Sequence, residues 1–220
     1  MKMTPVTPYK TPARGRFITF FAFLVLTGCA LPSPPARPAI YDFGPGPLSQ
    51  PLTTRQANQA PLALAEVEAP TALDSTAVLY RLAYSDSQQL RPYTLARWSM
   101  PPAQLLRQRL RELLGQRRAV LTPGDVGPVD APPPPTLRLQ LEEFSHLFES
   151  PNKSSGLLRL RVTLVQPGPA GERLIAQRSV IVQHAATTSD APGGVRALMA
   201  ATDQAAQEIS AWLETLPPAI

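Results

Sequence analysis

The stretch LRLQLE, residues 137–142, decides the fold that we predict for this chain. Its leucines at 137, 139 and 141 alternate with Arg138, Gln140 and Glu142. Because successive side chains of a strand point to opposite faces, a period of two predicts a strand with one buried and one solvated face. Such half-buried strands are typical of antiparallel sheets.

Two further strands with the same alternation follow toward the C-terminus. One has apolar residues at Leu158, Leu160, Val162 and Leu164, and the other covers residues 174–183 and ends in SVIVQ. The intervening segments, SPNKSSG at 150–156 and QPGPAGE at 166–172, are rich in turn-forming residues. We therefore expect three consecutive antiparallel strands.

The N-terminal half adds shorter strands before this group. Residues 62–69 alternate with period two, and AVLYRLA at 77–83 follows the turn-prone LDST, which predicts a hairpin or a close pair. Residues 88–98 add a short extended piece that Pro92 keeps from forming a continuous ladder. The segment 122–135 contains too much proline and glycine for a helix or strand and is expected to be a surface loop.

Two amphipathic helices complete the pattern. The first begins at PPAQ, residues 101–104, carries a leucine face and ends at Gly115. The second follows Pro192, Gly193 and Gly194 and ends at Pro217. Its apolar stripe is Leu198, Met199, Thr202, Ala205, Ile209, Trp212, Leu213 and Leu216. The predicted fold class is α+β, an antiparallel or mixed sheet with two helices packed on one face, in a single domain over residues 62–216.

The N-terminus has the layout of a secretory signal. Lys2, Lys10, Arg14 and Arg16 precede an apolar run at 17–26, with no acidic residue among residues 1–28. The run is shorter than the roughly 20 apolar residues of a bilayer-spanning helix. Residues 26–29, LTGC, resemble the lipobox of bacterial lipoproteins, which implies cleavage after residue 28 and attachment of acyl chains such as palmitate to Cys29. The alternative is an uncleaved inner-membrane anchor with an inert cysteine.

The residues after Cys29 indicate where the mature protein is held. In the lipoproteins that it resembles, an aspartate after the cysteine favours retention in the inner membrane, and here Ala30 occupies that position. The resemblance therefore implies the periplasmic face of the outer membrane. Residues 29–61 are proline-rich and are predicted to form a tether, in which Tyr41, Asp42 and Phe43 could dock on the domain as an edge strand. Residues 217–220 form a tail.

Charge and composition exclude several function classes. The net charge of +5 includes the four basic residues of the signal; without them 17 basic residues stand against 16 acidic ones. A nearly neutral chain lacks the basic excess of nucleic-acid-binding proteins. With Cys29 acylated, no thiol is left for a disulfide.

The sequence also lacks a recognisable catalytic constellation. His146 and His184 lie in strand patterns without a second metal ligand at suitable spacing, so no metal or other cofactor is expected. Glu142 and Glu143 are adjacent in a strand and are expected on opposite faces, which does not suit a catalytic carboxylate pair. We therefore expect a protein that is not an enzyme.

The order of several short segments resembles the auxiliary lipoprotein family of ABC-type transport systems. These segments are Ala69-Pro70, Leu73-Asp74, Tyr80-Arg81, Tyr93, Arg97-Trp98, Pro101-Pro102 and the LLRQRLRELL helix. The resemblance implies partnership with an MCE-domain protein, a permease and an ATPase that move phospholipid or other hydrophobic molecules across the cell envelope. The alternative is a structural or assembly lipoprotein of another envelope complex.

The partner surface is predicted at Tyr93, Arg97 and Trp98, since aromatic residues and arginine contribute much of the energy of protein interfaces. The alternative reading of Tyr93 and Trp98 is core packing before the first helix.

Overall fold

The computed structural model of the chain describes residues 36–45, 59–125 and 132–217. The predicted signal peptide, Cys29 and the middle of the loop 122–135 lie outside the described residues. The predicted bounds of the signal peptide, tether and tail therefore stay predictions.

The described residues form eight strands and two helices, which confirms the predicted α+β class. The strands are β1 (Ala39–Tyr41), β2 (Gln59–Glu68), β3 (Ala77–Leu82), β4 (Asp86–Trp98), β5 (Arg118–Leu121), β6 (Thr136–Ser150), β7 (Lys153–Gly168) and β8 (Gly171–Ala185). The helices are α1 (Pro102–Leu114) and α2 (Ala191–Thr215), and a short 3-10 turn covers Thr71–Leu73. All the strands belong to one mixed sheet.

Strand β6, which contains LRLQLE, joins the two halves of the sheet. Along one edge it pairs antiparallel with β7 over nearly its full length, and β7 pairs with β8. Along its other edge it pairs parallel with β2 at residues 136–140 and parallel with β3 at residues 146–148. The sheet therefore forks beside β6, with β2 and β5 on one branch and β3, β4 and β1 on the other.

The predicted hairpin between residues 62–69 and 77–83 is wrong. Both segments are strands, but they follow one another along the same edge of β6 instead of pairing with each other. They run in the same direction, and the chain leaves the sheet between them through the 3-10 turn at Thr71–Leu73. The period-two pattern fixes which face of a strand is buried and carries no information about its neighbour.

Three features of the strands go beyond the sequence prediction. Strand β5 was not predicted, and β4 extends through Pro92 although its register with β3 shifts between Ala77 and Leu79. Strand β6 continues to Ser150 because a bulge between Leu141 and Glu143 restores the inward orientation at Phe144. An extra residue at a bulge lets side chains three positions apart face the same core.

Both helices pack on the sheet and on each other. Helix α1 buries its leucine face at Leu105, Leu106, Leu110 and Leu114, and it ends at Gly115 as predicted. Helix α2 lies on β6, β7 and β8. Arg109 of α1 donates to both carboxylate oxygens of Asp203 in α2, at 2.6 and 3.0 Å, so the two helices are also joined by a bidentate ion pair.

Helix α2 approaches the sheet closely because glycines lie at the contact. A Cβ atom added at Gly156 of β7 would lie 2.5 Å from the carbonyl carbon of Ala197, and one at Gly194 would lie 2.3 Å from His146 Nδ1. These distances leave no room for a side chain. Gly194 therefore serves the packing of α2, and Asp190 caps the helix by accepting from Gly193 N at 2.8 Å.

Candidate functional site at the edge formed by β1 and β4

The three residues of the predicted partner surface lie on β4, beside the short edge strand β1. Strand β1 runs parallel to the end of β4, with Ala39 opposite Ala96, Ile40 opposite Arg97 and Tyr41 opposite Trp98. The docked edge strand expected around Tyr41 is therefore present. We call the edge formed by residues 37–41 and 93–98 the β1–β4 edge.

Trp98 faces the core. Its side chain is 2% exposed and forms an edge-to-face contact with Phe43, with ring centroids 5.8 Å apart. It also packs against Phe144 of β6 at 5.6 Å. For Trp98 the structure thus shows the packing role that the sequence left open as the alternative, and its indole is not on the described surface.

Tyr93 is half-buried and joins a cluster of aromatic rings. Its hydroxyl lies 2.8 Å from Nδ1 of His146, and its ring lies 4.7 Å from that of Tyr80. The imidazole ring also packs against Phe148, with centroids 4.3 Å apart. The cluster connects β3, β4 and β6 at the end of the sheet that α2 covers with its first turn.

Burial sets the protonation states in this cluster. It lowers the pKa of His146 to about 4, although the charge of Asp190 acts in the opposite direction. The pKa of Tyr93 is raised, mainly because its side chain is buried and to a smaller extent because Tyr80 and Asp190 lie nearby. At neutral pH the phenol is therefore protonated and donates to Nδ1, which leaves the imidazole proton on Nε2. Nε2 has no hydrogen-bond partner among the described residues.

Arg97 is partly exposed and folds back along its own strand. Its Nη1 donates to the carbonyl oxygens of Tyr93 and Ala96, the latter at 2.8 Å. Its position opposite Ile40, on the other side of the strand from Ala96 and Trp98, places it on the face of the sheet away from the helices. Ile40 is 74% exposed and Leu95 is 50% exposed.

The carboxylates of β6 have a different arrangement from the one predicted. Glu143 accepts from Arg81 at 2.9 and 3.0 Å, and Glu142 accepts from Arg161 at 2.9 Å. Both arginines point away from the helices, so the expectation that the two glutamates lie on opposite faces is wrong. The bulge between Leu141 and Glu143 brings both to the same face. Each carboxylate nevertheless has its own cationic partner.

The described part of the chain contains no group of three or more His, Cys, Asp or Glu side chains that could hold a metal ion. His184 is exposed on β8. Among the described helices, none has the length and apolar character required to cross a membrane.

Similarity to solved structures agrees with the fold. Protein XCC0632 from Xanthomonas campestris, described as a DUF330 protein, superposes with a TM-score of 0.61 at 18% identity, over 79% of this chain and 94% of that one. An uncharacterized protein superposes with a TM-score of 0.60 at 17% identity, over 80% of this chain and 99% of the other. At these identities the likeness concerns the fold alone. No curated protein matches the sequence.

The sequence itself identifies the family. The family described as the ABC-type transport auxiliary lipoprotein component matches residues 41–210, from the end of β1 to the last turns of α2. The match covers most of the chain and includes both branches of the sheet. The chain therefore belongs to the ABC-type transport auxiliary lipoprotein component family.

Proposed function

We propose that this protein is a non-enzymatic lipoprotein held at the periplasmic face of the outer membrane by acyl chains on Cys29. In this role it serves an MCE-associated ABC-type system that moves phospholipid or other hydrophobic molecules across the envelope. Membership of the auxiliary lipoprotein family is the observation that carries the proposal. Further support comes from the order of the basic segment, apolar run and lipobox-like residues 26–29, and from Ala30 after the cysteine.

The geometry is consistent with a role in binding. The core under the helices is filled by leucine, valine and alanine side chains. The acidic residues Glu142, Glu143 and Asp203 are all engaged by arginines. The β1–β4 edge instead leaves Ile40, Leu95 and part of Arg97 accessible, so this edge, which carries the predicted contacts Tyr93 and Arg97, is available for binding.

Co-purification tests the choice of partner. The tagged full-length protein, extracted gently from its native envelope, should bring down an MCE-domain protein together with a permease and an ATPase. Recovery of porins or assembly factors alone would favour the alternative, a structural or assembly lipoprotein. A Cys29→Ser variant, which has no thiol to acylate, is the matched control. Partners that this variant no longer recovers are those whose recovery depends on the lipid anchor.

Intact-mass measurement tests the anchor itself. The mature protein should begin at Cys29 and carry the added mass of acyl chains. One acyl chain binds a membrane only marginally, so more than one chain is expected. A protein that keeps residues 1–28 and has an unmodified thiol would contradict the proposed placement.

A further inference from the structure

The position of β1 limits how far the folded domain can lie from its anchor. Nine residues, 30–38, separate Cys29 from Ala39, where the chain joins the sheet beside β4. Even fully extended, this connection spans at most about 35 Å. A domain of this size is about 40 Å across. A tether shorter than the domain is wide keeps the β1–β4 edge close to the surface to which Cys29 is attached.

The side chains around the point where the tether enters suit contact with lipid. Ile40 lies opposite Arg97 in the parallel ladder, and Leu95 lies two residues before Arg97 in β4. Exposed leucine and isoleucine on an edge strand are a liability in water unless something covers them. Arg37, which is exposed, and Arg97 add two cations beside this apolar pair.

The acidic side chain that is nearest to β1 in sequence lies at the other end of the strand. Asp42 lies beyond the far end of the strand, where its carboxylate accepts from the backbone N–H of Gly44 at 2.8 Å. The other exposed large apolar side chains of β8, Leu174 and Ile181, are separated from β1 by most of the sheet. The exposed apolar residues of β8 therefore lie far from the point where the tether enters.

We propose that the β1–β4 edge rests on the bilayer surface that holds Cys29, with Ile40 and Leu95 in the headgroup region and Arg37 and Arg97 against lipid phosphates. This inference rests on the proposed lipid anchor at Cys29. Apolar side chains that enter the interface and cations that meet anionic headgroups are the two contributions that bind a protein surface to a membrane. The helices and β8 then face the periplasm, accessible to partners.

Hydroxyl-radical footprinting on a chemically anchored chain tests the orientation without depending on natural acylation. The mature chain starting at Cys29 contains every described residue, and Cys29 is the only cysteine, so its thiol couples uniquely to a maleimide lipid. The vesicles contain phosphatidylethanolamine with a minority of phosphatidylglycerol. Labelling is compared between the coupled chain and the same chain free in solution.

For each of the two residues expected to be protected, the chain contains an exposed control residue of the same type. On coupling, the labelling of Ile40 and Leu95 should fall by more than half, while that of Ile181 and Leu174 stays unchanged. Ile40→Glu should abolish the protection of Leu95, and Ile181→Glu should preserve it. Equal reactivity of all four residues in both samples, or protection of the β8 pair instead, would overturn the orientation. Intact-mass analysis of the natural protein separately decides whether Cys29 is acylated.

Discussion

His146 is held on three sides, by Tyr93 at Nδ1, by Phe148 against its ring and by Gly194 of α2. Its side chain is 0% exposed, so it is packed into the core as a neutral group. Sequence reasoning placed it in a strand and away from metal chemistry, but could not show that it lies under a helix. That contact depends on residues 48 positions apart in the chain.

This burial predicts a pH dependence of stability. The pKa of His146 is about 4 in the folded protein against an ordinary value of 6.5. Between these values the unfolded chain binds a proton that the folded chain does not, so the free energy of unfolding falls as the pH drops below 6.5, by up to about 3 kcal/mol near pH 4. Urea denaturation at a series of pH values should show this loss.

Two histidine variants separate the contribution of His146 to the pH dependence of stability from the contribution of the carboxylates. His146→Gln should flatten the dependence between pH 6.5 and pH 4, whereas His184→Gln, at an exposed position, should keep it. An identical pH profile for the wild type and His146→Gln would contradict the assignment.

Trp98 provides the second prediction at the scale of a residue. Because its side chain is 2% exposed between Phe43 and Phe144, Trp98→Ala should lower the free energy of unfolding by about 3–5 kcal/mol. Trp212, which is only partly buried beside Arg178, is the matched control, and its replacement by alanine should cost less. An unchanged unfolding transition in Trp98→Ala, with loss of partner binding, would instead support the predicted interface role.

At the scale of an element, the position of α2 on the sheet depends on glycines at the contact between the helix and the strands. Gly156→Ala would place a carbon 2.5 Å from the backbone of Ala197, and a backbone cannot move aside cheaply. We expect a loss of about 1–3 kcal/mol or more in the free energy of unfolding. Gly168→Ala, whose added carbon would meet only Gly171 O at 3.3 Å, should cost less. Equal stability of the two variants would show that α2 can shift without cost.

The elements differ in how well the sequence predicted them. Strands β6, β7 and β8 and both helices follow clear periodicities, since one face of each is buried under another layer. Strand β5 has only four residues, and such a short run gives no resolvable period. The bulge in β6 interrupts the alternation after Leu141, which is why Glu142 and Glu143 were assigned to opposite faces.

At the scale of the whole molecule, the sequence predicted the fold class, but not how the strands are arranged. Residues 62–69 and 77–83 are both predicted as strands, and both pair with β6, whose residues come more than 50 positions later. For the candidate site, the sequence predicted an edge strand around Tyr41 and an extended segment over residues 88–98, but not that the two pair with each other. It left open whether Trp98 faces the core, because the contacts that settle this join Trp98 to Phe43 and Phe144, each more than 40 positions away in the chain.

A truncation tests whether β1 belongs to the domain. A chain starting at residue 46 would lose β1 and Phe43, whose ring is 9% exposed and covers Trp98. We expect a loss on the order of 3 kcal/mol in the free energy of unfolding, measured by urea denaturation, because a buried phenylalanine and a strand are removed. A chain starting at residue 37 should match a chain starting at residue 29. Equal stability of the two truncations would mean that residues 37–45 contribute only to the tether.

The fork beside β6 has a consequence for the order in which the protein can fold. Strands β2 and β3 find their shared neighbour only when residues 136–150 have been synthesised, and β6 is the sixth of eight strands in chain order. Pairings between such distant segments close large loops and form slowly. The nascent N-terminal half therefore has no completed sheet to fold into until β6 has been synthesised.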